Sequence, residues 1–236
     1  MNPVTGEALN LTKLDIKGLG KAKYILKEGG TLGDLYTTSN LRFNDNGYVE
    51  VDKNGNLLMT DEGEDIYLGS VFPNHNLAWR NGFSYKGINL GVLFTARLGG
   101  VCYSATQANL DLYGVSEASA AARDAGGVLI NGREMVDAQK WYQAIGSQSG
   151  LPQYYLYSAT NVRLQELSLG YTFPRKWFRN KLGLTVSFVG RNLWMIYCKA
   201  PFDPEAVAST GLNYQGIDYF MMPSMRNLGF NVKFQF

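Results

Sequence analysis

The last nine residues of the chain alternate between large apolar side chains and small or polar ones. The apolar members of this run are Leu228, Phe230, Val232, Phe234 and Phe236. A period of two places them on one face of a β-strand and the intervening residues on the other. A strand of a soluble sandwich has this pattern, and so does a strand of an outer-membrane β-barrel, where lipid-facing and lumen-facing residues alternate over about ten residues. The terminal aromatic residue favours the barrel.

Four earlier segments alternate in the same way, so the pattern predicts five strands. In each, one face carries large apolar residues, such as Leu167, Leu169 and Tyr171, and the other carries small, polar or charged ones. Leu93 interrupts the pattern of the second segment. Periodicity does not distinguish a wet lumen from the solvent-facing side of a sandwich. The predicted strands cover residues 76–85, 88–98, 162–173, 182–197 and 228–236.

The connections between these strands alternate in length. A tight turn at 86–87 joins the first two strands, and about 60 residues separate the second from the third. A short link at 174–181 follows, and then about 20 residues before the last strand. In an antiparallel meander the long connections share one end of the sheet, as in barrels with short periplasmic turns and long external loops. The predicted fold is therefore all-β, an antiparallel up-and-down transmembrane barrel segment of about five strands that forms an incomplete barrel.

Aromatic residues near the strand ends support a membrane setting. Barrels carry girdles of aromatic side chains at both membrane interfaces. Such residues here are Tyr85, Phe173, Trp177, Trp194, Tyr197, Tyr219 and Phe236.

The remaining segments are predicted to be loops with structure of their own. A helix is expected over 116–125, with Ser116 as N-cap and Gly126 after its end, and a second over 136–145. Asn-Gly pairs at 46–47 and 54–55 predict hairpins of a small β-meander. Residues 1–75 are therefore predicted to form an extracellular loop region. Residues 76–236 would hold the barrel strands, with long loops at about 100–160 and 198–218.

Composition narrows the function classes. The 236 residues are 45% hydrophobic and 18% charged, against about 25% charged in a typical soluble domain. A net charge of +2 without basic runs predicts no nucleic-acid partner. No apolar run approaches the roughly 18 residues of a spanning helix. The first residues have no features of an export signal, so an exported chain would be a piece whose signal lies elsewhere.

The sequence predicts no catalytic, cofactor or metal site. Asp52, Asn54 and Asn56 are spaced like calcium ligands, but Leu57 stands where the calcium loop requires glycine. His75 is the only histidine, and Cys102 and Cys198 are too few for a metal knuckle or a disulfide framework. The glycine-rich stretches lack P-loop spacing. We therefore expect a protein that is not an enzyme.

Several segments, in their order along the chain, resemble the C-terminal part of SusC-like (RagA-type) TonB-dependent outer-membrane transporters. They span nearly the whole chain and include the terminal strand. The other matching segments are residues 27–36, 81–87, 97–100, 113–116, 125–128, 167–174, 190–193 and 202–205.

The resemblance implies a share in an importer of oligosaccharides or peptides. Such importers have a plugged barrel of roughly 22 strands, pair with a SusD-like surface lipoprotein, and contact the TonB complex through an N-terminal part that has no counterpart here. Five strands cannot close a barrel, and an unpaired edge in lipid costs several kcal/mol for each unsatisfied group. We therefore expect a C-terminal fragment that spans the outer membrane several times as part of a larger barrel.

Residue roles follow from the two faces. The apolar faces would meet lipid. Phe236 would be the terminal aromatic that barrel-assembly machinery recognises, as the resemblance implies. The charged and polar candidates for the lumen wall are Arg80, Arg97, Glu166, Arg191, Asn231 and Lys233.

Two alternatives remain open at this point. The chain could be a soluble β-rich module, for instance one that binds carbohydrate through its tyrosines and tryptophans. That alternative requires the face of Leu184, Val186 and Phe188 to be buried. It could also be a small structural or adhesive protein that assembles a barrel from several copies.

Overall fold

The structure is a computed structural model that describes residues 13–60, 63–209, 211 and 214–236. Strands dominate it. The described strands are β1 (Lys13–Leu19), β2 (Ala22–Lys27), β3 (Asp34–Thr37), β4 (Asn40–Leu41), β5 (Met59–Thr60), β6 (Ile66–Ser70), β7 (His75–Tyr85), β8 (Ile88–Leu98), β9 (Val101–Ser104), β10 (Val128–Ile130), β11 (Glu134–Val136), β12 (Leu156–Ser158), β13 (Asn161–Phe173), β14 (Gly183–Cys198), β15 (Ile217–Asp218) and β16 (Asn227–Gln235).

The described helices are short. Two are single 3-10 turns, at Pro152–Tyr155 and Arg175–Phe178. The α-helices are α1 (Ala105–Leu112), α2 (Glu117–Asp124) and α3 (Ala138–Ile145). No helix among the described residues is both long and apolar enough to cross a membrane.

The chain divides into two compact units. The strand unit comprises Pro73–Gly100, Ser158–Ala206 and Met222–Phe236. The loop unit comprises the described residues of Met1–Phe72, Val101–Tyr157 and Val207–Met221. The first segment of the loop unit precedes the strand unit in the sequence. The second and third segments each lie between two parts of the strand unit.

The strand unit is built on one antiparallel sheet in the order β16-β14-β13-β8-β7. The five strands are the five predicted from alternation, and each end agrees with the prediction to within one residue. The predicted fold class is confirmed. Short connections join β7 to β8 and β13 to β14, whereas long ones join β8 to β13, with the three α-helices, and β14 to β16, with β15.

The short connections lie at one end of this sheet and the long ones at the other. Tyr85 pairs with Ile88 across a turn in which Lys86 and Gly87 have φ values of 47° and 88°. Positive φ at both central residues is the geometry of a type I′ hairpin turn, which suits the twist of the strands. A Cβ on Gly87 would lie 2.7 Å from the carbonyl oxygen of Thr172.

The loop unit confirms the two predicted helices and adds one. The Ser116 side chain accepts a hydrogen bond from the Ser119 amide and caps α2 as expected. The last helix begins two residues later than predicted because Asp137 caps it, accepting from the Lys140 amide. The sequence analysis missed α1, which Ser104 caps through the Gln107 amide.

The predicted β-meander is present at residues 42–58. Tight turns bring the Asn44 amide to the Tyr48 carbonyl at 2.9 Å and the Asp52 amide to the Asn56 carbonyl at 2.8 Å. The Asp52 carboxylate accepts from the amides of Asn54 and Asn56. These residues therefore form a turn, which explains their calcium-like spacing. Residues 1–12 of the predicted loop region lie outside the described residues.

All three segments of the loop unit contribute to one hydrophobic core. Tyr24 and Leu35 come from the first segment, Tyr103 and Leu151 from the second and Ile217 from the third. The Tyr24 hydroxyl also donates to the Gln215 carbonyl. β15 pairs in parallel with β9, which joins the third segment to the second. The long connections thus fold together as one unit.

We expect Ile217→Ala to destabilise the whole loop unit. Ile217 is fully buried, and truncating a buried aliphatic residue to alanine costs about 2–5 kcal/mol. Because the core is shared, amides of β2 and β3 should exchange with deuterium faster in the variant. Leu129→Ala, at an exposed position of the same unit, is the matched control. Faster exchange confined to residues 207–221 would contradict a shared core.

Candidate functional site on the two faces of the five-stranded sheet

One face of the five-stranded sheet carries rows of large apolar side chains that cross every strand. In one row, the pairing places Phe83 beside Leu90, Leu90 beside Leu169, Leu169 beside Phe188 and Phe188 beside Phe230. Residues paired in register lie on the same face because side chains alternate along each strand. The apolar faces predicted strand by strand therefore form one continuous surface.

This apolar surface is exposed. Phe188, Phe230 and Phe234 are 54%, 80% and 56% exposed. Soluble monomers rarely expose contiguous apolar patches larger than a few hundred Å². The soluble-module alternative required Leu184, Val186 and Phe188 to be buried, and the structure does not meet that requirement. The surface is suited to contact hydrocarbon or another apolar partner.

The opposite face is polar and is linked across strands by hydrogen bonds. The Ser84 hydroxyl donates to Asn89 Oδ1 at 2.8 Å, and Asn89 Nδ2 donates to Thr172 Oγ1 at 2.9 Å. The hydroxyls of Thr172 and Thr185 are 3.1 Å apart. This chain of contacts runs from β7 through β8 and β13 to β14. Small polar side chains thus form hydrogen bonds with one another near the end of the sheet that carries the short turns.

Three of the six predicted lumen residues meet on this polar face. The Glu166 carboxylate on β13 accepts a hydrogen bond from Arg191 Nε of β14 at 3.0 Å. Its other oxygen lies 3.7 Å from Arg80 Nη2 of β7. Leu93 of β8 pairs with both Arg80 and Glu166 and lies between them. Leu93, which interrupts the alternation of β8, therefore lies between the two charged residues Arg80 and Glu166.

The other predicted residues do not join this group. Arg97 is half-buried opposite Asn161, at the end of the sheet that bears the long connections. Asn231 pairs with Ser187 and Lys233 with Thr185. Both lie on the polar face, because Ser187 pairs with Gly170 and Thr185 with Thr172. Phe236 follows β16 and is fully exposed.

A buried charge cluster centred on Arg163 was not predicted. The Arg163 side chain is 2% exposed, and its Nη2 lies 2.8 Å from Asp203 Oδ1. Further contacts join it to Asn161 Oδ1 at 3.2 Å and to Asn192 Oδ1 at 3.4 Å. Ser224 donates to the same Asp203 carboxylate and accepts from Arg163 Nη1. One guanidinium therefore ties β13 to Asn192 of β14 and to both ends of the connection between β14 and β16.

The backbone at Asn192 explains how this cluster forms. Asn192 has a φ of 51°, and the pairing of β13 with β14 shifts register between Leu164 and Glu166. This irregularity is a β-bulge, which redirects a side chain and increases twist. The Asn192 side chain donates through Nδ2 to the carbonyl of Ser224 at 3.0 Å. The signal available in the sequence was the pair of segments 190–193 and 202–205, which the structure brings together.

The Asp203 carboxyl is held in its charged form. Burial alone would raise its pKa, but hydrogen bonds from Arg163, Ser224 and the Glu205 amide outweigh burial, and the pKa lies below its ordinary value. Opposite charge and hydrogen bonds to the carboxylate both favour ionisation. The cluster is therefore an ion pair throughout the neutral range.

Comparison with known proteins supports the resemblance. The chain is 25% identical over 198 residues to "TonB-dependent receptor P3" of Formosa agariphila, which covers 79% of this chain and 19% of the receptor. A solved structure described as "Structure of the RagAB peptide transporter" matches 97% of this chain and 25% of its own, with a TM-score of 0.53 and 20% identity. No protein-family model matches the chain.

These comparisons confirm the resemblance and the fold predicted from sequence. The chain is similar to part of a TonB-dependent receptor, and its fold matches part of the solved RagAB transporter chain. One relative is described as a receptor and the other as a transporter, and neither description names an enzyme. The chain spans about a fifth of the curated receptor and a quarter of the solved transporter chain.

We expect Arg163→Met to destabilise the strand unit by about 3–5 kcal/mol, because removing one partner leaves a buried charge uncompensated. Urea unfolding in detergent, followed by far-UV circular dichroism, measures the loss. The double variant Arg163→Met/Asp203→Leu removes both charges and should recover most of the stability. A double variant as unstable as the single one would show that packing, not charge, causes the effect.

The Asp203 ion pair should also make stability depend on pH. Because the folded pKa is depressed, its contribution is complete above the unfolded value of about 3.9 and is lost as pH falls through the folded pKa. Thermal unfolding from pH 6 downwards should therefore show a steeper acid loss for the natural chain than for Asp203→Asn. Parallel curves for the two proteins would contradict this assignment.

Proposed function

We propose that the chain forms part of the barrel wall and external loops of a TonB-dependent outer-membrane importer. The observation that carries this proposal is a five-stranded antiparallel sheet with one exposed apolar face and one polar face. Alternation of this kind is required where a strand separates hydrocarbon from a wet lumen. Similarity to a TonB-dependent receptor supports the same assignment.

The open sheet supports a larger barrel. β7 and β16 are the edge strands of the sheet, and an open edge in lipid leaves backbone groups unsatisfied at several kcal/mol each. Further strands of the same barrel would pair with these edges. Outer-membrane transporters with a plugged lumen have barrels of about 22 strands. Five strands would therefore form roughly a quarter of the barrel wall.

Within this proposal the two ends of the sheet face different compartments. The short turns and Phe236 would face the periplasm, and the long connections would lie outside the cell. Residues 1–75 and the loops at about 100–160 and 198–218 would then be extracellular. A SusD-like lipoprotein would contact this external region, and the TonB complex would act through another part of the importer.

The cargo is proposed to be an oligosaccharide or a peptide. The solved relative is described as a peptide transporter. Arg80, Arg97, Glu166, Arg191, Asn231 and Lys233 would line the lumen beside that cargo. Phe236 would serve as the assembly signal, which its full exposure at the end of β16 permits.

Neighbouring residues on opposite faces of β14 offer a direct test of lipid contact. In a closed barrel that contains this chain, folded into phospholipid vesicles, Phe188→Lys should lower the free energy of unfolding by about 2–4 kcal/mol, the cost of lysine facing lipid near the bilayer midplane. Ser187→Lys is the matched control, because its side chain would point to the wet face. Urea titration followed by tryptophan fluorescence measures both.

Equal losses for the two lysine variants would contradict the assignment of faces. A larger loss for Ser187→Lys would reverse it. If the natural chain stayed monomeric and folded in buffer without detergent, that result would contradict the proposal that it lies in a membrane.

A further inference from the structure

The polar face of the five-stranded sheet carries an excess of positive charge. Among the described strand residues of this face, five are basic and one is acidic. Asp203 neutralises Arg163, whereas Arg80 and Arg191 share the single carboxylate of Glu166. A surface ion pair contributes only about 0–1 kcal/mol to the stability of a fold. A stabilising role therefore does not explain why two arginines, Arg80 and Arg191, share one glutamate. The charged residues of this face are Arg80, Arg97, Arg163, Glu166, Arg191 and Lys233.

Glu166 holds Arg191 in a way that leaves much of its guanidinium available. The carboxylate contacts Nε at 3.0 Å, and the Arg191 side chain is 66% exposed. Arginine has five donors in a fixed planar fork. An arginine fixed at Nε still presents its two terminal nitrogens, which match the paired oxygens of a carboxylate or sulfate.

A concavity lies beside this guanidinium. It has a volume of about 270 Å³, and its lining combines the polar residues Arg191, Asn227 and Asn231 with Val189, Leu228, Gly229 and Phe230. Gly229 lies between the two asparagines on the same face of β16, and a Cβ there would meet no atom within 4 Å. The missing side chain therefore opens a space between two amide groups and an arginine.

We propose that this concavity is a subsite for an oxyanion group, a carboxylate or sulfate, carried by the cargo. The inference rests on the proposed function and narrows its cargo to acidic oligosaccharides or acidic peptides. Arg191 supplies the charge and a forked donor, and the two asparagine amides supply further N–H donors. The surplus positive charge of the Arg80–Glu166–Arg191 group disfavours a cationic ligand, and a neutral one would gain nothing from it.

Filling the open space beside Gly229 tests whether this concavity binds an oxyanion. We expect the full chain, in a non-ionic polyoxyethylene detergent, to bind sulfate saturably, seen as NMR shifts of the Gly229 and Asn231 amides. Arg191→Gln should weaken this binding at least tenfold. Gly229→Val should abolish it while leaving the sheet intact, because the space is open and valine favours strands. Gly82→Val fills another open position on the same face and should change the affinity less than twofold.

Two pairs of small probes distinguish the source of the oxyanion. Glucuronate is compared with glucose, and N-acetylaspartate with N-acetylasparagine. Tighter binding of the acidic member of either pair supports the subsite and tells whether sugar or peptide supplies the group. Equal binding within both pairs, or sulfate binding that survives Arg191→Gln and Gly229→Val, overturns it. The lipid-contact result for Phe188→Lys is measured separately, so loss of the subsite would leave the importer proposal standing.

Discussion

Strand register is the constraint on which the rest of the structure depends. Side chains alternate with a period of two, so a slip of one residue between neighbours would exchange their apolar and polar faces. The pairing of Phe83, Leu90, Leu169, Phe188 and Phe230 in one row shows that four interfaces keep the same register. The type I′ turn at Lys86–Gly87 sets the first of these interfaces. Hydrogen bonds between Asn89, Thr172 and Thr185 reinforce the next two.

The Arg163 cluster acts at the other end of the same strands, where regular pairing is interrupted. The bulge at Asn192 breaks the ladder between β13 and β14, and the guanidinium of Arg163 contacts both Asn192 at that break and Asp203 in the connection after β14. A buried ion pair adds little net stability over apolar packing, but it demands one geometry. We infer that the cluster specifies where the sheet ends and the long connection from β14 to β16 begins.

Strand positions could be predicted from the sequence because they depend on local alternation, and the exposed apolar face of Phe188 and Phe230 kept that alternation unambiguous. The helix α1 was missed because Thr106, Asn109 and Asp111 weaken its local signal, and its packing in the shared core stabilises it instead. Arg163 was missed for a related reason. Its partner Asp203 is 40 residues away, and no local pattern reports a contact of that kind. Arg80, Glu166 and Arg191 lie on one face of the sheet, but their meeting across Leu93 depends on register, which periodicity alone does not supply.

The shared core of the loop unit has a kinetic consequence. The Tyr24 hydroxyl and the Gln215 carbonyl are separated by 191 positions along the chain, so this contact closes a very long loop. Non-local closure of this kind carries an entropic cost before it brings any gain, and it slows folding. During synthesis, Tyr24 and Leu35 would therefore remain incompletely covered until Ile217 had been made. Completion of this unit thus depends on synthesis of the connection between β14 and β16, and chaperones would be needed most in the interval before it.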